Sequence, residues 1–95
     1  MSGRAYKPVA ARIVCVDGAT LSVQASSLHY CSPREDVGPY DAVEVGFPSI
    51  APPRSWKSYA EGGKCSTDTV YGYVPVVLVQ RFIKRHGGIR SGEMP

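Results

Sequence analysis

The sequence has few of the features that mark a disulfide-stabilised, membrane-spanning or secreted chain. Only three of its 95 residues are cysteines, Cys15, Cys31 and Cys65, and no two of them have CxxC spacing. An odd cysteine count without such pairs is atypical of a disulfide framework and fits reduced thiols. No run of about 18 apolar residues is present that would cross a bilayer, and the first residues lack the apolar stretch of a secretory signal. We therefore expect a cytoplasmic protein that spans no membrane.

The excess of positive over negative charge is also small. The net charge is +3 and charged residues make up 20% of the chain, well short of the lysine and arginine content of a dedicated nucleic-acid binder. Hydrophobic residues make up 43%, which excludes intrinsic disorder. The length allows one domain. We expect a single domain over 1–95 with flexible ends at 1–8 and 90–95.

The segment whose secondary structure the sequence predicts most clearly runs from Thr69 to Ile89. β-branched and aromatic residues over 69–74 predict a strand, and Pro75 is suited to the first turn of a helix that follows directly. Apolar residues at helical spacing then predict an amphipathic helix over 75–86. Gly87 and Gly88 favour a Schellman cap, with Ile89 folding back on the last turn.

Three further strands are predicted upstream, at 9–16, 20–30 and 42–47. The turn residues Asp17 and Gly18 join the first two as a hairpin. Pro52 and Pro53 open a short additional helix, in which Trp56 faces the core. The predicted fold is a small α+β domain with an antiparallel sheet of about four strands packed against the C-terminal amphipathic helix. Its predicted core comprises Val43, Val45, Phe47, Leu78, Val79, Phe82 and Ile83.

No pattern predicts catalysis or a cofactor. His29 and Cys31 lie two residues apart and reach each other only if the backbone bends, so they are more simply a loop histidine and a buried thiol. The three cysteines with His29 and His86 lack the close pairs of a structural zinc site, and no glycine-rich phosphate loop follows a strand. We expect no enzyme activity, no metal and no cofactor.

The predicted binding site combines a loop and a helix face. Residues 26–41 form a long loop, a type of segment that often carries function. It holds tyrosines and an arginine, which dominate binding hot spots, and the basic helix face adds positive potential that would steer an acidic partner. Cations near a helix C-terminus also simply stabilise the helix. The predicted partner-binding residues are Tyr30, Arg34, Tyr40, Arg81, Lys84 and Arg85.

The sequence resembles a small family of phage- and prophage-encoded accessory proteins over about residues 20–90. The segments that carry this resemblance are HYCSPR (29–34), GPY (38–40), VEVGFPS (43–49), VYGYVP (70–75) and HGG (86–88). The resemblance implies a viral or prophage origin. Compact α+β proteins from such genomes are often inhibitors of host defence systems, including anti-CRISPR proteins, which act by occupying a protein surface.

We therefore expect a non-catalytic phage or prophage protein that binds a host bacterial protein. One alternative is a nucleic-acid-binding module that uses the basic helix face, which a steep fall of affinity with salt would identify. The other is a small-molecule sponge for a nucleotide signal, which requires a closed polar pocket with convergent donors. The sequence leaves both a monomer and a homodimer open.

Overall fold

The computed structural model describes residues 9–95, so the arm predicted at 1–8 lies outside the described range. Its elements follow the order β-β-β-3-10 helix-β-α-β. The strands and helices are β1 (Ile13–Cys15), β2 (Thr20–Gln24), β3 (Ala42–Gly46), the 3-10 helix (Arg54–Tyr59), β4 (Val70–Pro75), α1 (Val76–Arg85) and β5 (Ile89–Ser91). The predicted α+β class is confirmed. No helix in this part of the chain is long and apolar enough to cross a membrane.

The sheet has five strands in the order β4-β3-β2-β1-β5, and every neighbouring pair is antiparallel. The predicted hairpin joins β1 to β2. Its turn is closed by the Cys15 amide, which donates to the Ala19 carbonyl at 2.7 Å, and Gly18 has a φ of +95°. That left-handed conformation suits glycine, because a Cβ there would be strained.

The first two strands are shorter than predicted. β1 does not extend over 9–16, because the main chain of Ala10 bonds to a side chain and not to a neighbouring strand. The Gln24 side-chain amide accepts from the Ala10 N–H and donates to the Ala10 carbonyl, both at 2.8 Å. β2 does not reach residue 30. Beyond Gln24 the chain turns, and the His29 amide donates to the Ser26 carbonyl at 3.2 Å.

The helix ends as the sequence predicts. The Gly88 amide donates to the Ile83 carbonyl at 2.9 Å and the Gly87 amide to the Lys84 carbonyl at 3.1 Å, which are the two bonds of a Schellman motif. The φ angles of Gly87 and Gly88 are +92° and +93°. Beyond the cap, Ile89 enters a strand that the sequence does not predict. It pairs with Cys15 and begins β5, so the expected flexible end at 90–95 starts within a strand.

The core lies between one face of the sheet and the two helices. Trp56 is 1% exposed, as predicted, and its ring contacts those of Tyr71 and Phe82 at centroid distances of 5.6 and 5.7 Å. The predicted core residues Val43, Val45, Val79, Phe82 and Ile83 are buried, and Leu78 is partly buried.

Phe47 is a wrong core prediction, since it is 51% exposed. The strand alternation that would turn its side chain inward stops at Gly46. Phe47 itself has a φ of +47°, so the backbone leaves the extended conformation before this side chain. The ring consequently points away from the core.

Candidate binding surfaces

The structure does not bring Cys31 and His29 together as a nucleophile and base. Cys31 is 1% exposed, and its thiol donates to the carbonyl oxygens of Ser26 and Pro33 at 3.2 and 3.4 Å. The His29 ring instead lies against Ser26, with Nδ1 at 2.6 Å from the serine Oγ. The thiol is thus tied to main-chain acceptors, and no imidazole contact is recorded for it.

Ser26, His29 and Glu44 form an arrangement that the sequence analysis missed. The His29 Nε2 lies 3.9 Å from the Glu44 carboxylate, on the opposite side of the ring from Ser26. The Ser26 hydroxyl also accepts the Leu28 amide at 3.0 Å, and Ser26 is only 2% exposed. A nucleophile must reach its substrate, so this serine is placed to hold a turn together.

The two remaining thiols differ in burial. Cys15 is buried and Cys65 is partly buried, and both are free. Burial, with a smaller contribution from the charge of Asp17, raises the pKa of the Cys15 thiol, which disfavours the nucleophilic thiolate. Within residues 9–95, no three His, Cys, Asp or Glu side chains are grouped in a way that could hold a metal ion.

A β-bulge in β4 places two tyrosines of one strand on different faces. Between Val43 and Val45 on β3 the ladder advances two residues, whereas on β4 it advances three, from Tyr71 to Val74. Tyr71 and Val74 are therefore both fully buried, and Tyr73 is 48% exposed. Tyr73 has a φ of +55°, which is unusual for a bulky residue. Such bulges re-aim side chains and are common beside functional sites.

The re-aimed ring joins two residues that the sequence analysis had selected. Tyr30, which is 50% exposed, lies 5.9 Å from Tyr73 between ring centroids, and the Tyr73 amide donates to the Tyr30 carbonyl at 3.0 Å. The Arg34 guanidinium carbon is 5.5 Å from the centre of the Tyr30 ring, a cation–π distance. We call Tyr30, Arg34 and Tyr73 the tyrosine surface.

A groove, which we call the tyrosine groove, runs beside the tyrosine surface. It has a volume of about 380 Å³, opens to solvent, and is lined by Tyr30, Ser58, Tyr59, Glu61, Val70, Gly72 and Tyr73. Gly72 lines the groove where the packing is tight: a Cβ there would lie 3.2 Å from the Tyr30 Cβ, so Tyr30 would have to shift by a few tenths of an ångström. The absence of a side chain at Gly72 lets Tyr30 approach the strand and form one wall of the groove.

Tyr40 is a wrong prediction as an exposed anchor. It is 9% exposed and belongs to the core cluster, and its hydroxyl donates to the Glu35 carbonyl at 2.8 Å. The 26–41 segment packs around the ring of Tyr40, and this buried ring stabilises the loop. Of the three loop residues chosen from sequence, only Tyr30 and Arg34 lie at the surface.

The three predicted helix cations, Arg81, Lys84 and Arg85, are all exposed. Arg81 and Arg85 flank a cleft of about 140 Å³ between α1 and the 3-10 helix, whose other lining residues are Pro53, Ser55, Trp56, Leu78 and Phe82. We call this the basic cleft. Lys84 does not line it. Two further cations, Arg54 and Lys57, lie on the 3-10 helix outside this cleft. They were not among the predicted binding residues, although their spacing of one 3-10 turn, on either side of Trp56, was a signal for a basic face.

The tyrosine groove and the basic cleft have no lining residue in common. The single composite site predicted from sequence is thus two surfaces, with Ser58 and Tyr59 of the 3-10 helix facing one and Ser55 and Trp56 facing the other. A scan against protein-family models and searches of curated proteins and of solved structures found no match to this chain. The geometry of these two surfaces therefore carries the functional argument.

Proposed function

We propose that this protein is a non-catalytic binding domain whose tyrosine surface contacts another protein. The observation that carries the proposal is the pair of half-exposed tyrosine rings, 5.9 Å apart, on Tyr30 and Tyr73, whose main chains are joined by a hydrogen bond. Tyrosine and arginine are enriched in binding hot spots. A surface that combines Tyr30, Tyr73 and Arg34 is of that composition.

Preorganisation supports this proposal. The bulge and the main-chain bond fix the backbone positions of Tyr30 and Tyr73 before a partner arrives, so little backbone ordering remains to be done on binding. Backbone strain supports it as well. A tyrosine at a φ of +55° costs about 1–2 kcal/mol, and strain of this kind clusters at functional sites.

The chemistry of the buried nucleophiles supports a non-catalytic role. Ser26 is 2% exposed and Cys31 is 1% exposed, and each is engaged by main-chain groups. The tyrosine groove is open to solvent, whereas the sponge alternative requires a closed polar pocket. A protein surface is therefore the occupant that best suits the groove.

The proposed partner is a host bacterial protein, and the proposed setting is the cytoplasm of the host. Its basis is the resemblance of segments such as HYCSPR and VYGYVP to phage and prophage accessory proteins. Inhibition of a defence system such as CRISPR-Cas would follow from occupying the partner's surface. Tyr30, Tyr73 and Arg34 would serve as contact residues for any protein partner.

The test begins with capture of a partner from bacterial lysate on immobilised protein, identification by mass, and purification. Dissociation rates are then measured for the wild type, Tyr30→Ala and Tyr73→Ala. We expect each alanine variant to dissociate about 30-fold faster, the effect of losing a hot-spot residue worth about 2 kcal/mol. Gly72→Ala should also weaken binding, because it displaces Tyr30 without removing any atom of it.

Leu28→Ala is the matched control. Leu28 lies in the same irregular segment and is 62% exposed, so its variant removes apolar surface without touching the tyrosine surface. Its dissociation rate should stay within about twofold of the wild type. Unchanged binding by folded Tyr30→Ala and Tyr73→Ala proteins would refute the proposal.

A further inference from the structure

Positive charge in this protein is concentrated near α1 and the 3-10 helix. Residues 76–92 contain Arg81, Lys84, Arg85 and Arg90 and no carboxylate, and the 3-10 helix contains Arg54 and Lys57 and no carboxylate. Residues 17–46, in contrast, contain five carboxylates and a single cation, Arg34. The small net charge of +3 hides this segregation, and the local potential is what a ligand meets.

Among the residues that the structure describes, the cations around the basic cleft have no acidic partner. Within residues 9–95 the recorded ion pairs are His29 with Glu44 and His86 with Asp17. Neither pair includes Arg54, Lys57, Lys64, Arg81 or Arg85. Arg81 and Arg85 also lie one helical turn apart, a spacing at which like charges destabilise a helix by about 0.2–0.5 kcal/mol. This repulsion opposes the favourable interaction of cations with the helix C-terminus, so helix stability alone is a weak reason for placing both arginines at one cleft.

The small volume of the basic cleft and the arginines beside it suit a small anionic group. Its volume of about 140 Å³ is below the roughly 300 Å³ of the smallest usual ligand pockets, so a whole nucleotide would not fit. Its floor includes Trp56 and Phe82, which are 1% and 3% exposed. Charge interactions are stronger beside such apolar side chains than in bulk water, and guanidinium groups bind phosphate through paired N–H donors.

The cations continue beyond the cleft. Ser55 lines both the basic cleft and a neighbouring depression that contains Arg54 and Lys57, and a further depression joins these two residues to Lys64. Cations therefore line three depressions that adjoin one another around the 3-10 helix. A ligand with repeated phosphates matches this layout better than a single anion does.

We propose that the basic cleft and the adjoining cations Arg54, Lys57 and Lys64 bind the phosphate backbone of a nucleic acid, without sequence preference. Arg81 and Arg85 hold one phosphate at the cleft, and the 3-10 helix cations contact its neighbours. This binding uses a different surface from the proposed protein contact at Tyr30 and Tyr73. The two activities are therefore separable by substitution.

The test measures fluorescence anisotropy with labelled single-stranded and duplex DNA of about 20 nucleotides. The double variant Arg81→Gln/Arg85→Gln should bind both at least about tenfold more weakly than the wild type. Affinity of the wild type should fall roughly 40- to 150-fold between about 50 and 200 mM salt, if three to four phosphates are neutralised in the duplex. The variant should have a shallower salt dependence.

The double variant Lys84→Gln/Arg90→Gln is the matched control, because it removes the same charge from exposed positions outside the cleft. We expect it to bind within about threefold of the wild type. A second variant, Arg81→Lys/Arg85→Lys, keeps the charge and removes the guanidinium fork, and its affinity should lie between those of the wild type and the glutamine variant. Circular dichroism confirms that each variant is folded.

Three results would overturn the proposal. Equal losses in the cleft variant and the control variant would mean that total charge, and no particular site, determines binding. Competition by polyglutamate as strong as competition by unlabelled DNA would identify an acidic protein as the occupant. Binding to vesicles rich in phosphatidylserine, with none to either DNA, would identify a membrane surface.

Discussion

The tyrosine surface and the basic cleft are built from different physical features. The first depends on a backbone irregularity, the bulge in β4 that turns Tyr73 outward at a φ of +55°. The second depends on two helices that form a cleft flanked by Arg81 and Arg85. Binding at the tyrosine surface should therefore respond to backbone changes and little to salt, whereas binding at the basic cleft should respond to charge and strongly to salt.

The two surfaces share one support. Trp56 forms part of the basic cleft, and its ring packs edge-on against Tyr71, the buried residue that precedes the bulge. Removal of this ring should therefore affect both surfaces together, unlike any of the surface substitutions proposed above.

The largest predicted effect follows from Trp56→Ala. Truncating a tryptophan that is 1% exposed leaves a cavity between the sheet and α1, and such substitutions cost about 3–5 kcal/mol. Urea denaturation should show this loss in the free energy of unfolding. Lys57→Ala, an exposed neighbour in the same helix, should stay within about 0.5 kcal/mol of the wild type. A loss below about 1 kcal/mol for Trp56→Ala would mean that this ring contributes little to the packing of the 3-10 helix against the sheet and α1.

The elements that the sequence predicts well are those whose signals are local. The helical spacing of apolar residues and the pair Gly87-Gly88 define α1 and its cap, since hydrogen bonds within a few residues determine both. Gln24 shows the limit of this approach. Its side chain replaces strand pairing at Ala10, fourteen positions away, and no local pattern predicts such a bond.

The candidate site was partly predictable for the same reason. Residue type indicated Tyr30 and Arg34, and the structure places them together. Tyr73 was missed because regular alternation puts it on the same face as Tyr71, and only the bulge separates them. Gly72 carried the available signal, because glycine inside a strand often marks a bulge or a close backbone approach. Tyr40 was overestimated because composition does not tell a buried tyrosine from an exposed one.

A smaller predicted effect separates the backbone of the tyrosine surface from its rings. At Tyr73, glycine should be more stable than alanine by about 1 kcal/mol, because only glycine adopts a positive φ without strain. Both variants remove the ring, so both should lose partner binding equally. Chemical denaturation of Tyr73→Gly and Tyr73→Ala measures the difference.

Val70 in the same strand is the control position. The φ angle of Val70 is not positive. The order of stability should therefore reverse, with Val70→Gly less stable than Val70→Ala by about 0.5–1 kcal/mol. If glycine were the less stable residue at Tyr73 too, the bulge would not strain the backbone there, and the contrast between the two surfaces would lose its structural basis.

The smallest predicted effect concerns the end of α1 that carries Arg85. The Asp17 carboxylate accepts the Ala19 amide at 2.9 Å and lies 2.6 Å from the His86 Nδ1, which joins the β1–β2 turn to the end of the helix. The Ala19 N–H and, next, the hydrogen bond with His86 lower the pKa of Asp17. A carboxyl group whose pKa is lower in the folded protein stabilises the fold above its unfolded pKa, and this stability is lost as pH falls through the folded value.

Asp17→Asn tests this linkage, because asparagine can still accept the Ala19 amide but carries no charge. We expect the melting temperature of the wild type to exceed that of the variant at neutral pH, and the difference to shrink as the pH falls below the ordinary aspartate pKa of about 3.9. Asp68→Asn, at an exposed carboxylate, should show no such convergence. If the difference in melting temperature between the wild type and Asp17→Asn stayed constant with pH, the effect of Asp17 would come from turn geometry. The contact of its charge with His86 would then contribute nothing to holding the end of α1 beside the basic cleft.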